Sequence, residues 1–300
     1  MENKIYSLDD IDNSKFYGGE KYSTHKVFEL LNDLYDFYDF LQINNSSSAK
    51  AAFCVKDMGD IDKVMFGSIT GTITSIKTLL NIGSINDAFA IVRKYEDAVI
   101  TNIYVDLLLD KEHLKNMDCL MGDKEFVLGS LCDNQINKWV YDEKKLGEQN
   151  EFGIAGFENV KELNGIFNLG VKTQKNSVSE LAKFTLRQFC NNNVHYNALK
   201  YFLYNDKDIS DMNDTRVKLL NKIHQAMSNI FIVHFSYMFV INPEYYNSSD
   251  YLDHLDCGQT PPDGSQNWVA PIVQSLYDKY IKQKEDLCNY LKGCNWLEIE

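Results

Sequence analysis

Asn191, Asn192 and Asn193 stand in a row and His195 follows one residue later, inside the stretch SVSELAKFTLRQFCNNNVHYNALKYFLY that runs from Ser177 to Tyr204. An imidazole titrates near neutral pH and can act as general base or general acid. A guanidinium beside it would stabilise the charge of a phosphorane or cyclic phosphate, and RNA cleavage needs little more. Only three arginines, Arg93, Arg187 and Arg216, are available to supply one. The same residues have a structural reading too, in which the asparagines cap or kink a helix and His195 satisfies a buried carbonyl or Glu96.

The elements that must position these groups are helical. Ser177 and Glu180 form a capping box that opens the helix leading to the asparagines. A second helix, capped by Ser84 and Asp87 and running to about Leu109, carries the stripe Ile85, Phe89, Val92, Glu96, Val99, Ile103 and Leu107. Glu96 interrupts that apolar stripe, and a buried carboxylate needs a partner. Arg93 lies one turn back, placed to pair with it at i,i+3 or to reach a facing helix together with it.

Around this pair the three- and four-residue spacing of apolar residues predicts further helices over 27–43, 61–82, 123–141, 157–169 and 214–241. Many Thr and Ile residues in 61–82 leave a strand reading open, and Gly67, Gly71 and Ser75 would let a neighbouring helix approach. His224 and His234 fall in register with the apolar residues of the 214–241 helix and read as core or core-edge residues. All four prolines lie beyond Asn242, so the body is free of helix breakers. The expected fold is all-α, a bundle of about seven to ten helices in one domain over 23–300. Residues 1–22 read as an irregular surface lead-in, 23–242 as the helical body, and 243–300 as an appended segment with a final helical pair over 268–291.

Composition narrows the function classes. The formal net charge of −13 argues against a broad nucleic-acid groove, because phosphate binding relies on Lys and Arg releasing counterions. Seven scattered cysteines without a CxxC pair indicate reduced thiols and a cytoplasmic setting rather than a disulfide framework. The start, MENKIYSLDDID, has no apolar core of a signal peptide, and the most apolar run, Ile230 to Ile241, is too short to cross a membrane. No phosphate loop, nucleophile elbow or HExxH helix occurs. His254 with Asp253, Asp256 and Cys257 suggests a metal corner, but its acidic, turn-adjacent setting reads better as solvated surface. No motif calls for a cofactor or a metal.

The string CNNNVHYN, with the upstream RKYED helix, resembles the HEPN superfamily of α-helical proteins. The family motif is an Arg, often followed by Asn, Asp or His, with a His four to six residues after the Arg. Asn191 and His195 match the second and last places, while Cys190 stands where the Arg is expected and Arg187 lies a turn too early. Many members are ribonucleases of toxin–antitoxin and phage-defence systems, and others are inactive binding or scaffolding modules. The resemblance therefore implies a metal-independent endoribonuclease with His195 as general base or acid, Arg187 or Arg93 on the scissile phosphate, and Asn191 or Asn193 orienting it. It also implies a homodimer, because active members build the site between two protomers, with RNA as substrate and a protein partner or antitoxin. The alternative is a non-catalytic binding module in which Arg93, Glu96 and His195 form a structural network.

Overall fold

The computed structural model describes residues 18–44, 51, 55, 60–120, 135–141, 187–206 and 210–300. Their fold is all-α. In chain order the helices are α1 (Glu20–Ser23), α2 (Val27–Asn44), α3 (Ile61–Asn81), α4 (Ile85–Leu120), α5 (Gln135–Tyr141) and α6 (Arg187–Val194). After these come α7 (Leu199–Leu203), α8 (Asn213–Ile241), α9 (Asp250–Asp256), α10 (Pro271–Tyr280) and α11 (Glu285–Lys292). Two isolated backbone bridges, Asn247 with Val269 and Trp268 with Glu298, are the only β pairing among the described residues. No helix among them is long and apolar enough to cross a membrane. The segment 157–169, the capping box Ser177/Glu180 and residues 123–134 lie outside the described residues.

The apolar spacing translates directly into packing. Val27, Leu30, Leu31, Leu34, Phe37 and Leu41 of α2 are buried against α3, α3 packs on α4, and α8 closes against α4 and α2. The β-branched residues of α3 are accommodated as a helix because their hydroxyls bond to the preceding turn: Thr70 to the Phe66 carbonyl at 2.9 Å, Thr72 to Ser68 at 2.9 Å and Thr74 to Thr70 at 3.0 Å. That spends the hydroxyls inside the helix and removes the strand alternative. Close approach occurs at Gly67 alone, where a Cβ would meet the Gln42 side chain at 3.0 Å, whereas nothing lies within 4 Å of one at Gly71. α4 runs eleven residues past the expected Leu109, to Leu120.

One expectation changes, at the start. Residues 20–23 are a helical turn rather than surface coil, and Tyr22 is a core residue whose hydroxyl donates to the Leu80 carbonyl at 2.7 Å. The segment after Pro243 is continuous with the core: Tyr246, Val273, Tyr277, Leu291, Leu297 and Ile299 belong to the same cluster as Val27 and Phe89. Its centre is aromatic, with Phe37 edge-on to Phe231 at 5.2 Å and Phe235 against Tyr246 at 4.9 Å.

A chain of buried polar groups threads this core. Tyr38 Oη lies 3.0 Å from Tyr95 Oη and 2.7 Å from His234 Nδ1, and His234 Nε2 lies 2.7 Å from Asn102 Oδ1. Asn102 Nδ2 donates to Asp62 Oδ1 at 3.3 Å, and Tyr245 Oη donates to Asp62 Oδ2 at 2.5 Å. The directions follow from the chemistry. An amide oxygen only accepts, so Nε2 carries the imidazole proton and Nδ1 accepts from Tyr38, which in turn accepts from Tyr95. Burial pushes the His234 pKa down to about 3, which keeps the ring in this neutral tautomer.

An unfolded His234 takes up its proton near 6.5, whereas the folded one stays neutral far below that value, so in this window the unfolded state binds more protons. Its contribution is complete above 6.5 and declines as pH falls, and His224, lowered to about 4, acts with the same sign. The urea midpoint is therefore expected to drop as pH is lowered from 6.5 towards 4, and Tyr38→Phe, which strands the Nδ1 acceptor, should cost about 1–3 kcal/mol. A midpoint flat across that range would contradict a buried neutral imidazole.

Candidate functional site

The stretch that carries the asparagines is a helix ending. α6 lies against α4, and its last turn closes with two backbone bonds, Asn197 N–H to the Asn192 carbonyl at 3.1 Å and Tyr196 N–H to the Asn193 carbonyl at 3.2 Å. These are the two bonds of a Schellman ending, which puts Tyr196 at the left-handed position, and its φ is 48°. Glycine is usual there, since an L side chain costs roughly 1–2 kcal/mol in this conformation. Asn197 Nδ2 to Asn192 Oδ1 at 2.9 Å and the stacking of Tyr196 on Phe202, with centroids 4.2 Å apart, hold the turn in place.

Asn193 is fully buried, and its carbonyl also accepts from Asn86 Nδ2 at 3.1 Å. Asn86 in turn donates its backbone N–H to Asn205 Oδ1 at 2.8 Å, and Asn205 Nδ2 donates to Asp87 Oδ2 at 2.9 Å. The start of α4 and the end of α6 are thus tied together: an orphan N–H of α4 finds a partner in Asn205, and the Asn193 carbonyl of α6 takes a second donor from Asn86. Spacing along the chain singles out neither Asn86 nor Asn205. The one sequence signal nearby is the Ser84/Asp87 helix start, and Asp87 acts there by holding Asn205.

The structure brings Arg93 to the asparagine run. Its Nη1 donates to Asn191 Oδ1 at 3.2 Å and its Nε to Asp97 Oδ2 at 3.1 Å. The ion pair is therefore made at i,i+4 with Asp97 rather than at i,i+3 with Glu96. Glu96 is buried and stands near the Cys190 thiol. That thiol, at the place where the family motif carries an Arg, is itself buried and pushed up to about 12, first by burial and then by the negative charges of Glu96 and Asp97, with Arg93 opposing. It is a neutral packing group and offers neither a cation nor a thiolate.

His195 is placed differently. Its backbone N–H continues the helix to the Asn191 carbonyl at 3.0 Å, but its ring is exposed and makes no hydrogen bond or ring contact with any described residue. Arg187 is the first residue of α6, and its side chain lies outside the described ones. Arg216 is buried and binds Asn213 Oδ1 at 3.0 Å and the Asp206 carbonyl, which fastens the loop after α7 to α8. His254 spends Nδ1 on the Asp250 carbonyl at 2.7 Å. Arg93, Asn191, Glu96 and Cys190 thus gather at the α4–α6 contact with Asn193 anchored alongside, and His195 stands one turn further along α6, outside that network. No family model, curated protein or solved structure matches this chain.

The Arg93–Asp97 pair is half open to solvent on the Asp97 side, which limits it to a few tenths of a kcal/mol, whereas the Asn86–Asn193 bond is buried and worth about 1 kcal/mol. Asn86→Ala is therefore expected to loosen α6 more than Asp97→Ala. Amide exchange over 191–194 and alkylation of Cys190 should both accelerate in Asn86→Ala, while exposed Cys257 reacts at the wild-type rate. Equal acceleration in the two variants would place the anchor elsewhere.

Proposed function

We propose that this chain is a non-catalytic helical binding module that self-associates through the turn between α6 and α7. The observation that carries the reading is a set of exposed apolar side chains on that turn: Val194 at 44%, Tyr196 at 37%, Leu199 at 74% and Phe202 at 55%. Single exposed apolar residues are ordinary, but four on one short turn mark a contact surface. The segment from Asn191 to Asn205 contains no Asp or Glu in a chain of net charge −13, so two copies can meet there without juxtaposing carboxylates. Arg93 supports the same reading, because two of its five N–H donors are engaged by Asp97 and Asn191 and a phosphate would have to compete with the Asp97 carboxylate. The free thiols of Cys190, Cys257, Cys288 and Cys294 fit a cytoplasmic setting.

A HEPN-like, metal-independent endoribonuclease of the toxin or phage-defence type is the second reading. The exposure of the His195 ring on the surface proposed for self-association favours it, since a dimer would bring a second imidazole and a second set of cations to the same place. In that case His195 is the proton-transfer group, Arg93 or Arg187 binds phosphate, and Asn191 orients it.

Sedimentation analysis separates the possibilities. The wild type should sediment as a dimer, and Leu199→Asp with Phe202→Asp should be monomeric with an unchanged helical spectrum. A wild type that remains monomeric at high concentration removes the binding surface. Mixed RNA incubated in EDTA with wild type and His195→Ala decides the second reading: cleavage lost in the variant supports it, and cleavage by both or by neither removes it.

A further inference from the structure

A cleft of about 530 Å³ opens between the α8 face and the α10–α11 corner. On α8 it is lined by Asn221, His224, Gln225, Ser228 and Asn229, which recur at three- and four-residue steps and so form one stripe. The opposite stripe of the helix, Leu220, Ile223, Met227 and Phe231, is core. Exposed helix faces are ordinarily mixtures of Lys and Glu, but this one is made of neutral donor–acceptor groups without a single carboxylate. Lys26, Lys279 and Lys284 supply the charge from the rim, with Gln283 and the Tyr280 ring completing the wall. A volume of this size is that of a small-molecule site.

The lysines are not equivalent. Lys279 is held by Glu29 and Asp33, so it is fixed in place and largely neutralised. Neither Lys26 nor Lys284 pairs with a carboxylate among the described residues. Two neutral donors accompany them. The Val27 N–H donates to His25 Nδ1, so His25 Nε2 carries the proton and donates to Asn221 Oδ1 at 3.1 Å, which leaves the Asn221 Nδ2 hydrogens without a partner among the described residues. Ser228 Oγ is buried and likewise has no partner among them. Buried polar groups without partners are uncommon in native structures and call for an explanation. The His224 pKa is pushed down to about 4, first by burial and then by Lys26 and His25, with Glu29 opposing.

We infer that this cleft binds a phosphate monoester carried on a small polyhydroxylated body. The ammonium groups of Lys26 and Lys284, with the Asn221 amide, bind the phosphate. The paired donors and acceptors of Gln225, Asn229 and Gln283 match hydroxyls, which also both give and accept. The same chemistry is presented by a free sugar phosphate and by the headgroup of a phosphorylated inositol lipid.

Calorimetry on the full chain tests this with ribose 5-phosphate, ribose and inorganic phosphate, beside flotation with phosphatidylcholine vesicles that contain phosphatidylinositol 4-phosphate. Ribose 5-phosphate should bind, inorganic phosphate more weakly and ribose not at all, with the His224 ring proton resonances shifting on titration. Lys26→Ala with Lys284→Ala, both surface changes, should weaken binding about tenfold or more, corresponding to about 1.4 kcal/mol, while Lys63→Ala has no effect. Vesicle binding that the same double variant abolishes assigns the lipid source, and binding of the sugar phosphate alone assigns the free one. Binding of neither, binding of ribose as tight as that of its phosphate, or an undiminished affinity in the double variant would falsify the inference.

Discussion

The bundle is organised around a carboxylate taken out of water. Asp62 sits near the start of α3, 2% exposed, and its two oxygens receive hydrogen bonds from Asn102 on α4 and Tyr245 beyond α8. Burying such a group without donors would cost many kcal/mol, and each charge-assisted bond returns only about 1.5–3. The arrangement is therefore tolerated only if every donor arrives, and every donor sits on a different element. Asn102 fixes His234 on α8, and His234 fixes Tyr38 on α2 and through it Tyr95 on α4. Aromatic and aliphatic packing would accept several registers of four amphipathic helices. The polar chain accepts one, because sliding any helix by a turn would strand at least two buried partners.

Much of the helical frame is legible in the residues because it follows from one-dimensional periodicity. α2, α3 and α8 match their apolar spacing to within a residue or two, and Glu96 announces its burial by interrupting a stripe. What the chain does not reveal in one dimension is the identity of partners. Asp62 follows Asp60 and precedes Lys63, in a context that reads as a solvated helix start. His234 falls in register with the core, yet its neighbours Tyr38 and Asn102 are 196 and 132 residues away. Arg93 has carboxylates at both i+3 and i+4, and the choice of Asp97 is made by which face of α4 turns towards α6.

The same limit governs the asparagine run. Three consecutive amides before a histidine suggest chemistry when read along the chain. In three dimensions Asn192 and Asn193 supply the carbonyls that close a Schellman turn, Asn193 receives Asn86 as well, and Asn191 steadies Arg93. Arg93 and Asn197 use the side chains of Asn191 and Asn192, whereas the other contacts are made to backbone carbonyls that any residue type would supply. Together these contacts offset a tyrosine in left-handed conformation, whose ring is carried outward onto Phe202 at the surface.

Leu297 and Ile299 pack in the same core as Tyr22 and Val27, and Asn295 donates to the Phe239 carbonyl at 2.7 Å. During synthesis the first helices therefore lack part of their covering until residues 295–299 have emerged, an interval on the order of tens of seconds at ribosomal speeds. Through that interval part of the inner face of α2 stays accessible to solvent and to chaperones. The exposure of this core to aggregation therefore depends on the rate of elongation between α2 and Ile299 as well as on the stability of the folded bundle.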